Sequence, residues 1–336
     1  MGETMQRIMI VGGAGYVGGY LTDYLNAPPR LSTSLNRGVQ PRSTQNDVLV
    51  YDKLVYENRY LKNVPFRYGD ILDTDRLKGV IDEWNPDVIV WLAAVVGDGA
   101  CQVNPQLTNE VNYESVKWLA DNYDGRIVFT STCSVYGEND DLISEEAETN
   151  PLSVYASTKL MAEQYLLENS DNCLVFRLGT LFGVGDRHSR VRLDLVANIL
   201  TLKVVRGEPL SVFGGEQWRP LLHVKDVARA IGHGIEKDIS GLYNLHSENF
   251  TIKQLAQKIV QEVDKNGIIN YEDMPFEDLR NYKVSSDLYR STGWSPKFTL
   301  ESGVSELAGI LGEGRIKDSS DSVYSNVKFL KETADA

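Results

Sequence analysis

The sequence predicts an α/β fold, a doubly wound parallel sheet joined to a smaller mixed α/β unit. Three observations carry this. Short apolar runs rich in β-branched and aromatic residues alternate with helical stretches through the first half of the chain. The first run leads straight into a glycine cluster, Gly12-Gly13-Ala14-Gly15-Tyr16-Val17-Gly18. Beyond Leu178 the regular alternation fades into mixed segments.

Residues 8–11, 48–51, 65–68, 88–92, 126–131 and 173–178 read as buried strands. Each is short and bounded by Gly, Asp or Asn. Helices are expected at 16–26, 74–84, 112–122 and 154–169, and later at 226–236 and 252–264. Such alternation covers both faces of a parallel sheet with helices. Ligands then bind beyond the carboxyl ends of the strands. Pro28, Pro29 and Pro41 interrupt the pattern between residues 27 and 47, which reads as a surface insertion. The expected division places a dinucleotide-binding unit at 1–180, rejoined by about 221–248. A substrate-binding unit takes 181–220 and 249–312, and a polar, loosely held tail takes 313–336.

Composition narrows the class. The 336 residues are 42% hydrophobic and 24% charged, with a net charge of −13, as in an ordinary globular protein. An acidic surface disfavours nucleic acid, whose phosphates need clustered Lys and Arg. No run approaches the roughly 18 apolar residues of a membrane span, and no secretory signal is visible after Met1. Cys101, Cys133 and Cys173 lie far apart without a CxxC pair, so neither a disulfide framework nor a zinc site is expected, and a reducing cytoplasm fits.

The glycine cluster has a specific physical reading. A tight turn, a close backbone approach to a pyrophosphate and a helix packed near its strand each exclude a β-carbon. The helix N-terminus then offers free N–H groups to the anion. This is the Rossmann-type arrangement, with Gly12, Gly15, Tyr16, Val17 and Gly18 as cofactor contacts. Asp52 ends the second strand, where a carboxylate can accept hydrogen bonds from ribose hydroxyls and repel a 2′-phosphate, favouring NAD. Arg30, Arg37 and Arg42 in the insertion could soften that repulsion, which leaves NADP open. Asp70 and Ile71, after the third strand, stand where adenine would lie.

Tyr155 and Lys159 are four apart on one predicted helix face. An ammonium beside a phenol stabilises the phenolate and is expected to lower its pKa from about 10. The phenolate could then take a proton from an alcohol. Two other YxxxK pairs exist, Tyr113/Lys117 and Tyr324/Lys328. Only Tyr155 follows a strand ending in a hydroxyl cluster, Thr130, Ser131, Thr132 and Ser134.

With these residues the chain resembles an extended short-chain dehydrogenase/reductase of the NAD-dependent nucleotide-sugar epimerase/dehydratase family. The matching features run from Ile8 to about Ile310. They include GGAGYVGG, Val50-Tyr51-Asp52-Lys53-Leu54, Gly69-Asp70-Ile71, Leu92-Ala93-Ala94, Thr132-Cys133-Ser134-Val135-Tyr136-Gly137, Tyr155-Ala-Ser-Thr-Lys159 and Trp218-Arg219-Pro220-Leu221-Leu222-His223. Ala93-Ala94-Val95-Val96-Gly97, Arg192-Leu193-Asp194-Leu195 and Asp278-Leu279-Arg280-Asn281-Tyr282 are similar to a subgroup containing GDP-heptose 4-dehydrogenases.

The resemblance implies NAD as cofactor, with Lys53, Leu92, Ala93 and Ala94 among its contacts. It implies Thr132 as the hydroxyl that binds the reacting sugar oxygen, Tyr155 as acid/base, and Lys159 as its tuner and a nicotinamide-ribose contact. Arg219 and Arg280 would grip the substrate diphosphate, with Asn198 nearby and Arg192 and Thr180 also on the substrate side. Val11 and Thr180 depart from the family pattern, the latter at a position tied to sugar recognition. The resemblance further implies a homodimer through a four-helix bundle.

Other residues carry less. Cys133 reads as a core thiol. His188, His223, His233 and His246 lack metal-ligand spacing and read as structural. Arg187, Arg190 and Arg192 are either a solvated loop or a diphosphate contact. No GxSxG elbow supports a serine hydrolase. The expected activity is a nucleotide-diphosphate-sugar epimerase acting at C4. A 4-dehydrogenase or 4-ketoreductase shares the same triad. A 4,6-dehydratase would need Asp-Glu where Cys133-Ser134 stand, and a non-catalytic dinucleotide sensor would not need the triad.

Overall fold

The computed structural model describes residues 5–27, 46–57, 59–273 and 281–334. Within them the strands are β1 (Arg7–Val11), β2 (Asp47–Asp52), β3 (Phe66–Tyr68), β4 (Val88–Trp91), β5 (Arg126–Thr132), β6 (Glu138–Ile143) and β7 (Cys173–Leu178). Then follow β8 (Thr180–Phe182), β9 (Leu210–Phe213), β10 (Trp218–His223), β11 (Gly241–Leu245), β12 (Glu248–Thr251), β13 (Ile269–Glu272) and β14 (Asn281–Val284). Seven of them form one sheet in the order β11-β7-β5-β4-β1-β2-β3, with every pairing parallel.

The six expected strands are present, and β11 joins the far edge beside β7. Both faces of the sheet are buried, which explains the nearly continuous apolar runs. Ile8, Ile10, Val48, Val50, Val88 and Val90 point to one face, packed under helices Gly18–Asn26 and Val224–Glu236. Met9, Val11, Leu49, Ile89, Ile127 and Phe129 point to the other, under helices Thr74–Trp84, Ser115–Asn122 and Val154–Asn169. Successive residues of each strand thus serve opposite layers.

Two helix starts differ from expectation. The first helix begins at Gly18, because the residues before it form the glycine turn. The helix expected at 112–122 opens with a π-helical turn, Glu110–Glu114, closed by a bond from Ser115 N–H to Glu110 O. That wider turn carries Asn112, buried, whose amide accepts from Val95 N–H (2.8 Å) and donates to Val95 O (2.9 Å). The loop after β4 is therefore clasped by a side chain.

The rest of the chain builds small sheets, β12-β10-β8, β13-β9 and β14-β6. A separate core of Phe182, Leu200, Val204, Leu210, Leu221, Leu255 and Ile259 supports them. The tail departs from expectation. It was expected to be loosely held, yet helix Asn326–Ala334 packs back on the main body, with the Phe329 ring 4.8 Å from that of Tyr56. The 27–47 insertion lies almost wholly outside the described residues, as do Arg30, Arg37 and Arg42.

One buried ion pair fastens helix Val154–Asn169 to the sheet. Arg177 on β7 donates to Glu163 Oε1 from Nε (3.0 Å) and Nη2 (2.5 Å). Its Nη1 donates to the Tyr136 hydroxyl (2.7 Å), which donates to Asn244 Oδ1 (2.8 Å). Glu163 is fully buried. Glu163→Ala would strand the Arg177 charge and should cost about 3–5 kcal/mol. Urea unfolding reads this as a lowered midpoint at unchanged slope. The paired replacement Glu163→Leu with Arg177→Met should cost clearly less, because no charge is left unpaired.

Candidate active site

The sheet order reverses at β1: the chain goes from β1 to β2 on one side and returns to β4 on the other. A crevice opens at such a point beyond the strand ends. Here Gly12 follows β1, and Ala93 follows β4. Gly12 has φ +83°, and a Cβ on it would sit 2.5 Å from Ala93 N. A Cβ on Gly18 would sit 2.6 Å from Gly12 O. Both positions exclude any side chain. Gly15 differs: a Cβ there would meet only Gly12 O, at 3.4 Å. The protein's own packing does not demand glycine at 15. Its bare face keeps the top of the turn open, where a pyrophosphate would approach the start of helix Gly18–Asn26.

A cleft runs across this crevice. Its smaller part, about 200 Å³, is lined by Asp52, Lys53, Asp70, Ile71, Leu92 and Ala93. The larger part, about 540 Å³, is lined by Tyr16, Val17, Gly18, Thr132, Tyr155 and Lys159, and by Thr180, Arg192 and Arg219. Gly12, Gly15 and Ala94 border both. The fold thus gathers residues from β1, β2, β4, β5, β7 and the small sheets onto one surface.

Asp52 also braces the turn. Its carboxylate accepts from Ala14 N–H (3.0 Å) and Leu54 N–H (2.7 Å), and burial pushes its pKa up. Lys53 pairs with Asp70 at 2.8 Å. Tyr16 donates to Gly183 O (2.6 Å), so its hydroxyl ties the turn to the small sheets. An acidic strand end, an open glycine turn and an apolar slot of Ile71 and Leu92 fit a dinucleotide.

Thr132 ends β5 and caps the following 3₁₀ turn, accepting from Ser134 N–H at 3.2 Å. Thr132 lines the same cavity as Tyr155 and favours that residue's phenolate. Ser153 caps the next helix, which carries Tyr155 and Lys159, and also donates to Asp98 Oδ1 at 2.6 Å. Lys159 is buried with its ammonium 3.9 Å from the Phe129 ring centroid.

The expected electrostatics of the pair need correction. Tyr155 is raised above its ordinary value, first by burial and then by Cys101, against the lowering influence of Thr132. Lys159 is pushed down to about 7 by burial, partly opposed by Glu163. Both groups sit where a charge loses its water, and that loss is the largest influence on each. Helix spacing brought them onto one face, but it could not show how dry that face is.

The substrate-side residues divide. Arg219 is buried in the cavity wall, donates to Trp218 O (2.8 Å) and lies 6.0 Å from the Tyr282 ring centroid. Arg192 reaches the cavity but already holds Asp194, Nε to Oδ1 at 2.9 Å and Nη2 to Oδ2 at 3.0 Å. Asn198 does not line the cleft. Its buried amide accepts from Gly183 N–H (2.9 Å) and donates to Arg192 O (2.8 Å), bonds that hold the loop carrying Arg192. Arg280 lies outside the described residues.

Cys133 is fully buried and donates to Arg177 O. His223 caps helix Val224–Glu236 and is pushed down to about 3 by burial, while His246 bonds Ser286 at 2.6 Å. Among the described residues no His, Cys, Asp and Glu group could hold a metal, and no helix is long and apolar enough to cross a membrane. Sequence reasoning missed Tyr56, Asp98, Asp194, Asn326 and Leu330 at the cleft. It noticed Arg190 only through the neighbouring arginines.

The raised phenol gives a direct measurement. In cofactor-free protein, the folded state disfavours the phenolate, so Tyr155 should stay protonated until the pH exceeds the ordinary value of about 10. The difference in 295 nm absorbance between the protein and Tyr155→Phe should be flat below pH 10. A phenolate signal appearing near pH 7 would contradict it.

Comparison with known proteins agrees with this geometry. Residues 8–245 match the model of the NAD dependent epimerase/dehydratase family. The dTDP-glucose 4,6-dehydratase of Escherichia coli is 27% identical over 89% of this chain and 92% of its own length. The UDP-glucuronic acid decarboxylase 4 of Arabidopsis thaliana is also 27% identical, over 89% of this chain and 67% of its own. The UDP-glucose 4-epimerase of Thermotoga maritima shares the fold, with a TM-score of 0.75 at 22% identity over 92% of this chain and 99% of that one. The expected family is therefore the observed one: this chain belongs to the NAD dependent epimerase/dehydratase family.

Proposed function

We propose that the protein is an NAD-dependent nucleotide-diphosphate-sugar epimerase working at a sugar hydroxyl carbon, C4. One observation carries this: Thr132, Tyr155 and Lys159 line one cavity of about 540 Å³ that continues into the glycine-turn cleft. Gly12, Gly15, Gly18 and Asp52 would hold NAD, which when bound supplies the acceptor for the hydrogen on the sugar carbon. Thr132 would orient the sugar hydroxyl, and Tyr155, as the phenolate in the loaded site, would take its proton and later return it. Lys159 contributes charge from beneath, with Glu163 one turn further supporting that charge. Arg219 meets the diphosphate, since a guanidinium fork suits phosphate oxygens. Arg192 keeps its fork on Asp194 and shapes the wall.

The names of relatives point the same way in part. One structural relative is a UDP-glucose 4-epimerase and another, from Bacillus cereus, a UDP-glucuronic acid 4-epimerase. The dehydratase relative raises a rival, but water elimination needs a further acid/base pair. The two residues after Thr132 are a buried thiol, Cys133, and Ser134, whose hydroxyl lies 3.2 Å from that of Tyr282. Neither is a carboxylic acid.

Tyr155→Phe should lower turnover on a nucleotide-sugar panel about 10²–10⁴-fold, the usual worth of positioned proton transfer. NAD affinity should stay within a few-fold. With the parent enzyme, proton NMR of the product should show the epimer, with no net NADH. Activity within tenfold of the parent would sink the assignment, and stoichiometric NADH would favour the dehydrogenase.

Assembly and location complete the reading. The chain would act as a homodimer in the cytoplasm, with its cysteines free and buried. Helices Ser115–Asn122 and Val154–Asn169 pack on each other and leave Met161 and Leu167 exposed. A second copy would cover that face in a four-helix bundle. Light scattering at micromolar concentration should give the dimer mass, and Met161→Glu should shift it to the monomer.

A further inference from the structure

The segment after Ser320 crosses the cleft. Arg190 donates to Val323 O at 2.6 Å and is hydrogen-bonded to the Asn326 side chain. Leu193 N–H donates to Tyr324 O at 2.9 Å, and Asn326 N–H donates to Asp194 Oδ2 at 2.9 Å. Asn326 Nδ2 donates to Val96 O at 2.8 Å, on the opposite bank after β4. Further along, Phe329 packs on Tyr56, on the bank that follows β2. One buried asparagine thus joins the Arg190–Asp194 loop to the β4 loop over the cleft.

The same residues face the cleft itself. Asn326 and Val327 line its larger part, and Leu330 lines its smaller part together with Asp52. A dinucleotide reaching from Asp52 to Tyr155 would have to pass beneath Asn326–Leu330. We infer that Asn326, Val327 and Leu330 belong to the cofactor site, as a wall that must detach before the dinucleotide can leave. Because Asn326 holds both banks, it is the positioning residue of that wall. Such a wall suits an enzyme that restores its cofactor within each turnover and has no need to exchange it. The inference rests on the cofactor placement proposed above and not on the choice of sugar.

The test uses the full chain loaded with NADH, and follows release by fluorescence after mixing with excess NAD. Asn326→Ala and Phe329→Ala should each speed release, by about tenfold for Asn326→Ala, since weakened contacts act mainly on dissociation rates. Lys328→Ala, at an exposed position, should release at the parent rate. Circular dichroism confirms that each variant is folded, and Phe329→Ala, which removes only a ring contact, serves if Asn326→Ala is not. Release at the parent rate by both folded variants would overturn the wall. Failure of the parent chain to bind NADH would instead overturn the cofactor placement, and the wall with it.

Discussion

The structure depends on the close passage of two backbones. At the reversal of strand order, the chain leaving β1 through Gly12 runs against the chain leaving β4 at Ala93, with no room for a side chain between them. Helix Gly18–Asn26 then starts directly over Gly12 O. Anything inserted here would push the first helix off the sheet and close the crevice. Neighbouring side chains hold this passage in place: Asp52 binds Ala14 N–H from β2, and Asn112 clasps Val95 from the helical side. The carboxylate suited to a ribose therefore also braces the turn suited to a pyrophosphate.

A second theme is how dry the chemistry is. Tyr155, Lys159 and Glu163 lie at one-turn intervals on a single helix, increasingly deep in the protein. Burial favours the neutral phenol and the neutral amine. Glu163 counters this for Lys159, and Arg177 holds that carboxylate in place. The pair Glu163–Arg177 is thus more than a tether between helix and sheet. It carries negative charge to the underside of the site, and Tyr136 and Asn244 extend the same chain of bonds toward β11.

Much of this was legible from local pattern. Alternating apolar strands faced two layers, so their runs stood out, and strand ends shifted by no more than a residue. The glycine turn and the Tyr155/Lys159 spacing each occupy a few consecutive residues whose geometry follows from backbone sterics and helix pitch. Arg192 and Asn198 were harder. Their residue types suited a phosphate, yet their hydrogen bonds are taken by Asp194, Gly183 and the chain itself. A residue type states what a side chain can bond, while its neighbours decide what it does bond.

By itself the sequence determined the sheet, the crevice and the line of Thr132, Tyr155 and Lys159, because each is written in short periodic or steric signals. Only the tertiary structure decided how the cleft is closed. Asn326 meets Val96 across 230 positions of sequence, and Phe329 meets Tyr56 across still more. Polar composition made residues 313–336 look loosely held, since solvent-facing helices and free tails are both rich in charge. A single buried asparagine with three partners leaves no periodicity to read. It acquires its meaning only when the fold brings the Arg190–Asp194 loop and the β4 loop within hydrogen-bond reach.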